Sequence, residues 1–245
     1  MRETQAIIER VRRVSDQLQH LDLSVDAALS QLKPGQSIFA RLGESWDPLL
    51  REQWVPVAIQ ANQVTVELPV ERAYAPGQAV SLLSPVGRPL PVRPNVSQML
   101  LVAHQAQPTP FVLLTRQLIA AGASVALVLG EDALRYPLEL LPPEVEILRS
   151  DLDWTWPNRV EMLNWAEQVF VLAPPALHTE IYGGLFDTIS QLRHQAIPDG
   201  YICGLFLYRL ACGTGACQAC QITGQRNTVL ACVDGPAIDL KRMRF

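Results

Sequence analysis

Apolar residues near the start of the chain recur at helical spacing: Ile7, Ile8, Val11, Val14, Leu18 and Leu21, with Arg10, Arg12, Arg13 and Asp16 on the other faces. This period predicts an amphipathic helix. Ser24 can cap a short second helix over Val25–Leu32, which Pro34–Gly35 ends. Residues 1–33 are therefore expected to form an N-terminal helical segment, packed on its own domain or docked on a partner subunit or a second copy in a homo- or hetero-oligomer. After Gln36 the period changes. Ser37–Leu42, Val55–Gln60, Gln63–Leu68 and Ala79–Leu83 are candidate strands, separated by Gly43, the Ala61–Asn62 turn and Pro76–Gly77. Val64, Val66 and Leu68 alternate with Thr65 and Glu67, as in a strand with one buried face. These short strands predict a small antiparallel β-barrel over residues 34–94. It ends in a linker with prolines at 85, 89, 91 and 94.

From Gln98 onward strands and helices alternate. Met99–Ala103 reads as a buried strand and Phe111–Ala121 as a helix closed by Gly122. Ser124–Leu129, Val145–Leu148 and Glu167–Leu172 are further strands, and a helical stretch lies within Pro175–Gln195. Such alternation predicts a parallel, doubly wound α/β domain over residues 95–200. Residues 201–245, rich in Cys and Gly, read as a separate small module. The expected fold class is thus α+β and multidomain: N-terminal helices, β-barrel, doubly wound α/β domain and cysteine module.

A chain of 245 residues with 49% hydrophobic and 18% charged residues has the composition of a soluble globular protein. A net charge of −4 argues against a general nucleic-acid binder. No apolar run approaches the roughly 20 residues of a membrane span, and Met1–Gln19 does not read as a secretory leader. Neither a Gly-x-Ser-x-Gly elbow nor a His-Glu-x-x-His helix occurs, so hydrolase chemistry has no anchor.

The five cysteines change the picture. Four crowd into Cys212–Cys232 and Cys203 stands apart. An odd count gathered at one end is unlike a secreted disulfide framework and implies a ligand set in a reducing compartment, the cytoplasm. The spacing Cys212-x4-Cys217-x2-Cys220-x11-Cys232 opens as plant-type [2Fe–2S] sites do. A four-thiolate diiron cluster is an anion, so its loop must wrap closely and aim backbone N–H groups at sulfur. Gly213 and Gly215 permit that path, and Ala211, Ala216 and Ala219 keep the side chains small. Structural zinc is the alternative, although only Cys217–Cys220 forms a typical zinc pair. Cys203 is expected to be a small buried hydrophobe. Trp54 is either core or a stacking partner for a flavin; His104 is either a solvated loop histidine or a ligand or proton carrier.

The segment Leu210-Ala211-Cys212-Gly213-Thr214-Gly215-Ala216-Cys217-Gln218-Ala219-Cys220, followed by Cys232-Val233-Asp234-Gly235-Pro236, resembles the signature of the dihydroorotate dehydrogenase B electron-transfer subunit family. That family belongs to the ferredoxin–NADP reductase-like superfamily. Pro34-Gly35-Gln36, Asp47-Pro48-Leu49-Leu50-Arg51, Pro76-Gly77-Gln78 and Ser84-Pro85-Val86-Gly87 resemble its barrel segments, and Val171–Leu177 stands where it has a cysteine–glycine–proline motif beside the nicotinamide. The resemblance implies an FAD-binding barrel with a contact at Arg51, a nucleotide-binding α/β domain, and a [2Fe–2S] cluster on Cys212, Cys217, Cys220 and Cys232. Three motifs depart. Glu52-Gln53-Trp54-Val55-Pro56 replaces the family's arginine-led flavin motif. His104–Pro110 replaces its consecutive glycines, and Leu172 and Ala173 replace its cysteine and glycine. Pro108 and Pro110 each remove an N–H donor from a phosphate cradle. The expectation is a subunit that relays single electrons through a [2Fe–2S] cluster to or from a flavoprotein partner, an oxidoreductase component with NAD binding lost and FAD open. The alternatives are a complete FAD and [2Fe–2S] reductase, and a non-redox interaction protein with a structural zinc tail.

Overall fold

Two strands, β1 (Arg2–Arg13) and β2 (Leu18–Ser24), occupy the segment for which apolar spacing predicts helix. In β1, Ala6 and Ile8 point inward while Ile7 between them is 51% exposed. A bulge between Ile8 and Arg10 then shifts the inward parity. A two-residue alternation interrupted by a bulge imitates a period of 3.6, and the β-branched Ile7, Ile8 and Val11 suit the pleat. The predicted helix over Val25–Leu32 is also corrected: Leu29–Gln31 is a single 3₁₀ turn. The computed structural model describes residues 1–27, 29–43 and 50–245.

The N-terminal segment therefore belongs to the barrel. With β3 (Ser37–Leu42), β4 (Glu52–Gln60), β5 (Gln63–Pro69) and β6 (Ala79–Val86), it closes in the order β1-β2-β5-β4-β3-β6, sealed by pairing of β1 with β6. Ile8, Leu21, Leu23, Ile38, Val64 and Leu82 fill the interior with essentially no exposure. Each such side chain contributes about 1.5–3 kcal/mol of transfer free energy.

The second sheet is built from β7 (Gln98–His104), helix α1 (Thr109–Ala120), β8 (Ser124–Gly130), β9 (Glu146–Ser150), helix α2 (Arg159–Trp165), β10 (Gln168–Leu172), helix α3 (His178–Leu192) and β11 (Ile202–Leu205). A small hairpin, β12 (Gln221–Thr223) and β13 (Thr228–Leu230), precedes the last strand, β14 (Ala237–Asp239). The sheet order is β14-β11-β10-β7-β8-β9, with β14 antiparallel to β11 and the other pairings parallel. Strands buried on both faces read as continuous apolar runs, which made this half easy to read. The order reverses between β7 and β10, the usual ligand crevice of such sheets.

The tail is tied into the second sheet. Because β11 and β14 extend the sheet, residues 206–236 form a cysteine-bearing excursion tethered at both ends. Cys203, within β11, is 1% exposed and packs in the α/β core. In the same core Leu18 and Val57 of the barrel join Phe111 and Val112 of α1, so the two halves share apolar packing. Among the described residues no helix is long and apolar enough to cross a membrane.

Candidate metal centre and flanking clefts

The cysteine excursion folds through left-handed backbone at Gly213 (φ +66°), Gly215 (φ +81°) and Gln218 (φ +55°). A Cβ on Gly213 would stand 2.9 Å from Phe39 Cε2, and one on Gly215 would stand 2.9 Å from Val233 Cγ2. These glycines thus answer both a dihedral and a space requirement. Gly213→Ala is expected to cost about 1–2 kcal/mol from the left-handed dihedral alone, and to lower iron bound per chain. Gly184→Ala on α3, where a Cβ meets nothing within 4 Å, is the matched control and should leave iron content unchanged.

The four cysteines stand as two pairs. Backbone N–H groups of Thr214 and Cys217 each donate to Cys212 Sγ at 3.5 Å, and that of Cys232 donates to Cys220 Sγ at 3.5 Å. Cys220 and Cys232 are buried, Cys212 is half-buried and Cys217 is exposed. The two backbone donors, Cys217 first, bring the Cys212 thiol down to about 6, so it is largely thiolate at neutral pH. Burial and the neighbouring Cys220 push Cys232 up to about 12. Among the described residues no three His, Cys, Asp or Glu side chains are gathered around a single metal position. Two pairs are the division a diiron centre needs, two thiolates for each iron. The donor set, N–H groups aimed at sulfur and left-handed glycines fit such a group.

A cleft of about 410 Å³ opens beside this loop, lined by Leu50, Trp54, Tyr74, Arg72, Arg209 and Leu210 among others. Arg51, the expected flavin contact, also lines it. Its guanidinium donates to Ser81 O at 2.8 Å and Ser81 Oγ at 3.0 Å, and pairs with Glu3. Asp47–Leu49, which lead into the flavin motif, lie outside the described residues. Glu52 stands where the family has a cation, but its charge is answered. Trp54 Nε1 donates to it at 3.1 Å and Tyr74 OH at 3.0 Å, and Arg72 forms an ion pair with it. Trp54 itself is 1% exposed and packs in the barrel core.

On the α/β side, His104 is not a solvated loop residue. It ends β7 at 1% exposure, its ring 3.8 Å from that of Trp154. The left-handed turn survives at Gln105 (φ +52°), now with a side chain on it. After β10, His178 Nε2 donates to Ala173 O at 3.0 Å, and its ring stacks on Tyr182 with 4.8 Å between centroids. Glu67 is likewise buried, because the outward face of β5 lies against the α/β domain rather than solvent. His20 Nε2 lies 2.8 Å from Glu67 Oε2 as a donor, Tyr136 OH donates to the same oxygen at 3.0 Å, and Thr109 Oγ1 donates to Oε1. No spacing rule flagged this group, since Glu67 fits an ordinary polar position of an alternating strand.

Burial holds the imidazoles of His104 and His178 below their ordinary value of 6.5, opposed by Asp151 and by the Ala173 carbonyl respectively. The unfolded chain therefore takes up protons that the folded chain refuses once pH drops below 6.5. Stability falls from there as pH decreases towards the folded values, and this contribution is complete above 6.5. His104→Phe is expected to flatten the urea-midpoint profile between pH 7 and 5, by up to about 1.4 kcal/mol per pH unit. An unchanged slope would show that this imidazole is already free to protonate.

Residues 208–244 match the family described as the iron-sulfur cluster binding domain of dihydroorotate dehydrogenase B. The chain is 26% identical to the dihydroorotate dehydrogenase B (NAD(+)) electron transfer subunit of Geobacillus thermodenitrificans, over 96% of this chain and 95% of that one. The subunit of the same name from Desulforamulus reducens is 25% identical, with 83% of each chain covered. Among solved structures, an NADH-dependent reduced ferredoxin-NADP oxidoreductase superposes with a TM-score of 0.73 at 18% identity, covering 98% of this chain and 89% of that chain. The ferredoxin reductase of carbazole 1,9a-dioxygenase superposes at 0.58 and 16% identity, covering 82% and 68%. The chain thus has a ferredoxin reductase-like fold, and its residues 208–244 are similar to the iron–sulfur cluster binding domain of dihydroorotate dehydrogenase B.

Proposed function

We propose that this protein is an electron-transfer subunit that relays single electrons through a [2Fe–2S] cluster held by Cys212, Cys217, Cys220 and Cys232, to or from a flavoprotein partner. The observation that carries this reading is the pairing of the four cysteines with backbone N–H donors aimed at two of the sulfurs. A diiron cluster passes one electron at a time, whereas a nicotinamide passes a hydride, so a flavin must stand between the two currencies. The chain's own residues supply the thiolates, and Gly213 and Gly215 let the backbone close around them. Arg88 fastens the end of the excursion to the barrel exit: its N–H donates to Gly235 O at 2.7 Å and its Nε to Val233 O at 2.8 Å. The relatives are named as subunits of a dehydrogenase, which supports a partner that holds the substrate-oxidising or substrate-reducing flavin. The free thiols support a reducing, cytoplasmic setting.

A second reading, a reductase with its own FAD, is favoured by the 410 Å³ cleft that runs from Trp54 and Tyr74 to Leu210, two residues before Cys212. Its size is that of a small-molecule site. Anaerobic purification followed by acid denaturation and a flavin assay decides between the readings. Iron without flavin supports the relay; one flavin per chain supports the self-contained reductase. Zinc in place of iron would overturn both.

A further inference from the structure

The relay reading leaves one fully buried charged group without a role. The Glu67 side chain has no exposure. It reaches from β5 of the barrel to Thr109, the first residue of α1, and accepts hydrogen bonds from Thr109, Tyr136 and His20. Tyr136 comes from the segment after β8. Burial and the charge of Glu67 push its phenol far above its ordinary value, so it remains a donor. The N-terminus of the first crossover helix is the place where a doubly wound sheet presents its positive end to the phosphates of a dinucleotide. Here an anion already stands there, and it belongs to the chain. Pro108 and Pro110 withdraw two of the N–H groups that a phosphate would use.

The rest of the crevice is also filled from within. At the C-terminal end of β7 the Trp154 ring lies on His104. Beyond β10, His178 is bonded to Ala173 and wedged against Tyr182 and Phe206, with centroids 4.8 Å away in each case. The two departing motifs on the α/β side, after β7 and after β10, thus adjoin places where the chain's own side chains occupy the groove.

We infer that Glu67 is a specificity-determining residue, a built-in anion that takes the place of a nucleotide phosphate at α1 and makes the protein refuse pyridine nucleotides. Electrons then enter or leave only through groups held by protein partners; that last clause rests on the relay reading, whereas the refusal itself does not. The electrostatics are direct. A phosphate brought to α1 meets a buried carboxylate in a low-dielectric interface, where like charges repel far more than in water. Removal of that charge together with its volume should reopen the phosphate position.

The test is isothermal titration of the anaerobically purified protein with ADP and with NADH, comparing wild type, Glu67→Ala and Glu67→Ser. The serine variant frees nearly the same space while its hydroxyl can still accept a hydrogen bond, and it is carried in parallel in case the alanine variant unfolds. Wild type is expected to show no saturable binding up to about 1 mM, and the folded variants at least about tenfold tighter ADP binding than wild type. Saturable binding of either nucleotide by wild type below about 1 mM, or folded variants no better than wild type, overturns the assignment. Iron is measured on the same samples. An iron-free protein that refuses ADP contradicts the relay reading alone, and an iron-loaded protein that binds NADH contradicts only the role of Glu67.

Discussion

Cys217→Ala is expected to abolish the reduced-state EPR signal and the visible absorption of the protein while leaving barrel and sheet folded. The choice of cysteine matters. Cys220 and Cys232 are buried, so their loss would mix ligand removal with a packing defect. Cys217 is exposed, and no apolar cluster depends on it. Its replacement removes one of the four thiolates that would hold a plant-type [2Fe–2S] cluster. The far-UV spectrum should stay close to that of wild type, because β11 and β14 tether the excursion at both ends. Cys203→Ala is the contrasting control. Burial pushes that thiol up to about 12 and it packs among apolar residues of β11, so its replacement should leave iron and sulfide unchanged. A Cys217→Ala protein that retains its full signal would remove this cysteine from the ligand set.

Glu67→Ala is expected to be the most destabilising of the polar substitutions considered, costing about 3–5 kcal/mol, the range found when one member of a buried, hydrogen-bonded charge group is deleted. The alanine leaves His20 Nε2, Tyr136 OH and Thr109 Oγ1 without their acceptor inside a dry interface. It also opens a void between barrel and α1. In a protein of this size each kcal/mol lowers the melting temperature by about 2–4 °C, so a fall of roughly 6–20 °C is expected. Because His20 and Glu67 lie on paired strands of the barrel while Tyr136 and Thr109 lie in the other half, the double variant His20→Ala/Glu67→Ala should lose less than the sum of its single variants. A loss below about 1 kcal/mol for Glu67→Ala would show that water reaches these donors.

Different physical signals made parts of this fold legible. The parallel sheet was readable because β7, β8 and β10 are buried on both faces and so consist of apolar runs that nothing else in the chain imitates. The cysteine site was readable because ligand spacing is local and its chemistry is unforgiving. The first strand was misread because Ile7, Ile8 and Val11 fit a helical period as well as a bulged pleat. Only pairing with β6 and β2, which is not local information, decides between them. The tie between residues 201–245 and the second sheet is hidden for a related reason. Ile202–Leu205 is too short to announce itself as a strand, and Ala237–Asp239 finds its partner only after the excursion has closed. Glu67 and His104 were hidden because burial of a polar residue is set by the element that packs over it, in these cases α1 with the segment after β8, and the loop carrying Trp154. Arg51 was located by resemblance alone, and its guanidinium proves to be engaged by Ser81 and Glu3.

Everything functional here depends on what the two cysteine pairs hold. Iron and acid-labile sulfide, measured per chain on protein purified without oxygen and reduced with dithionite for EPR, test that most directly. About two irons and two sulfides per chain are expected, with a signal from a single unpaired electron. Protein that carries zinc, or neither iron nor sulfide after reconstitution, would contradict that expectation.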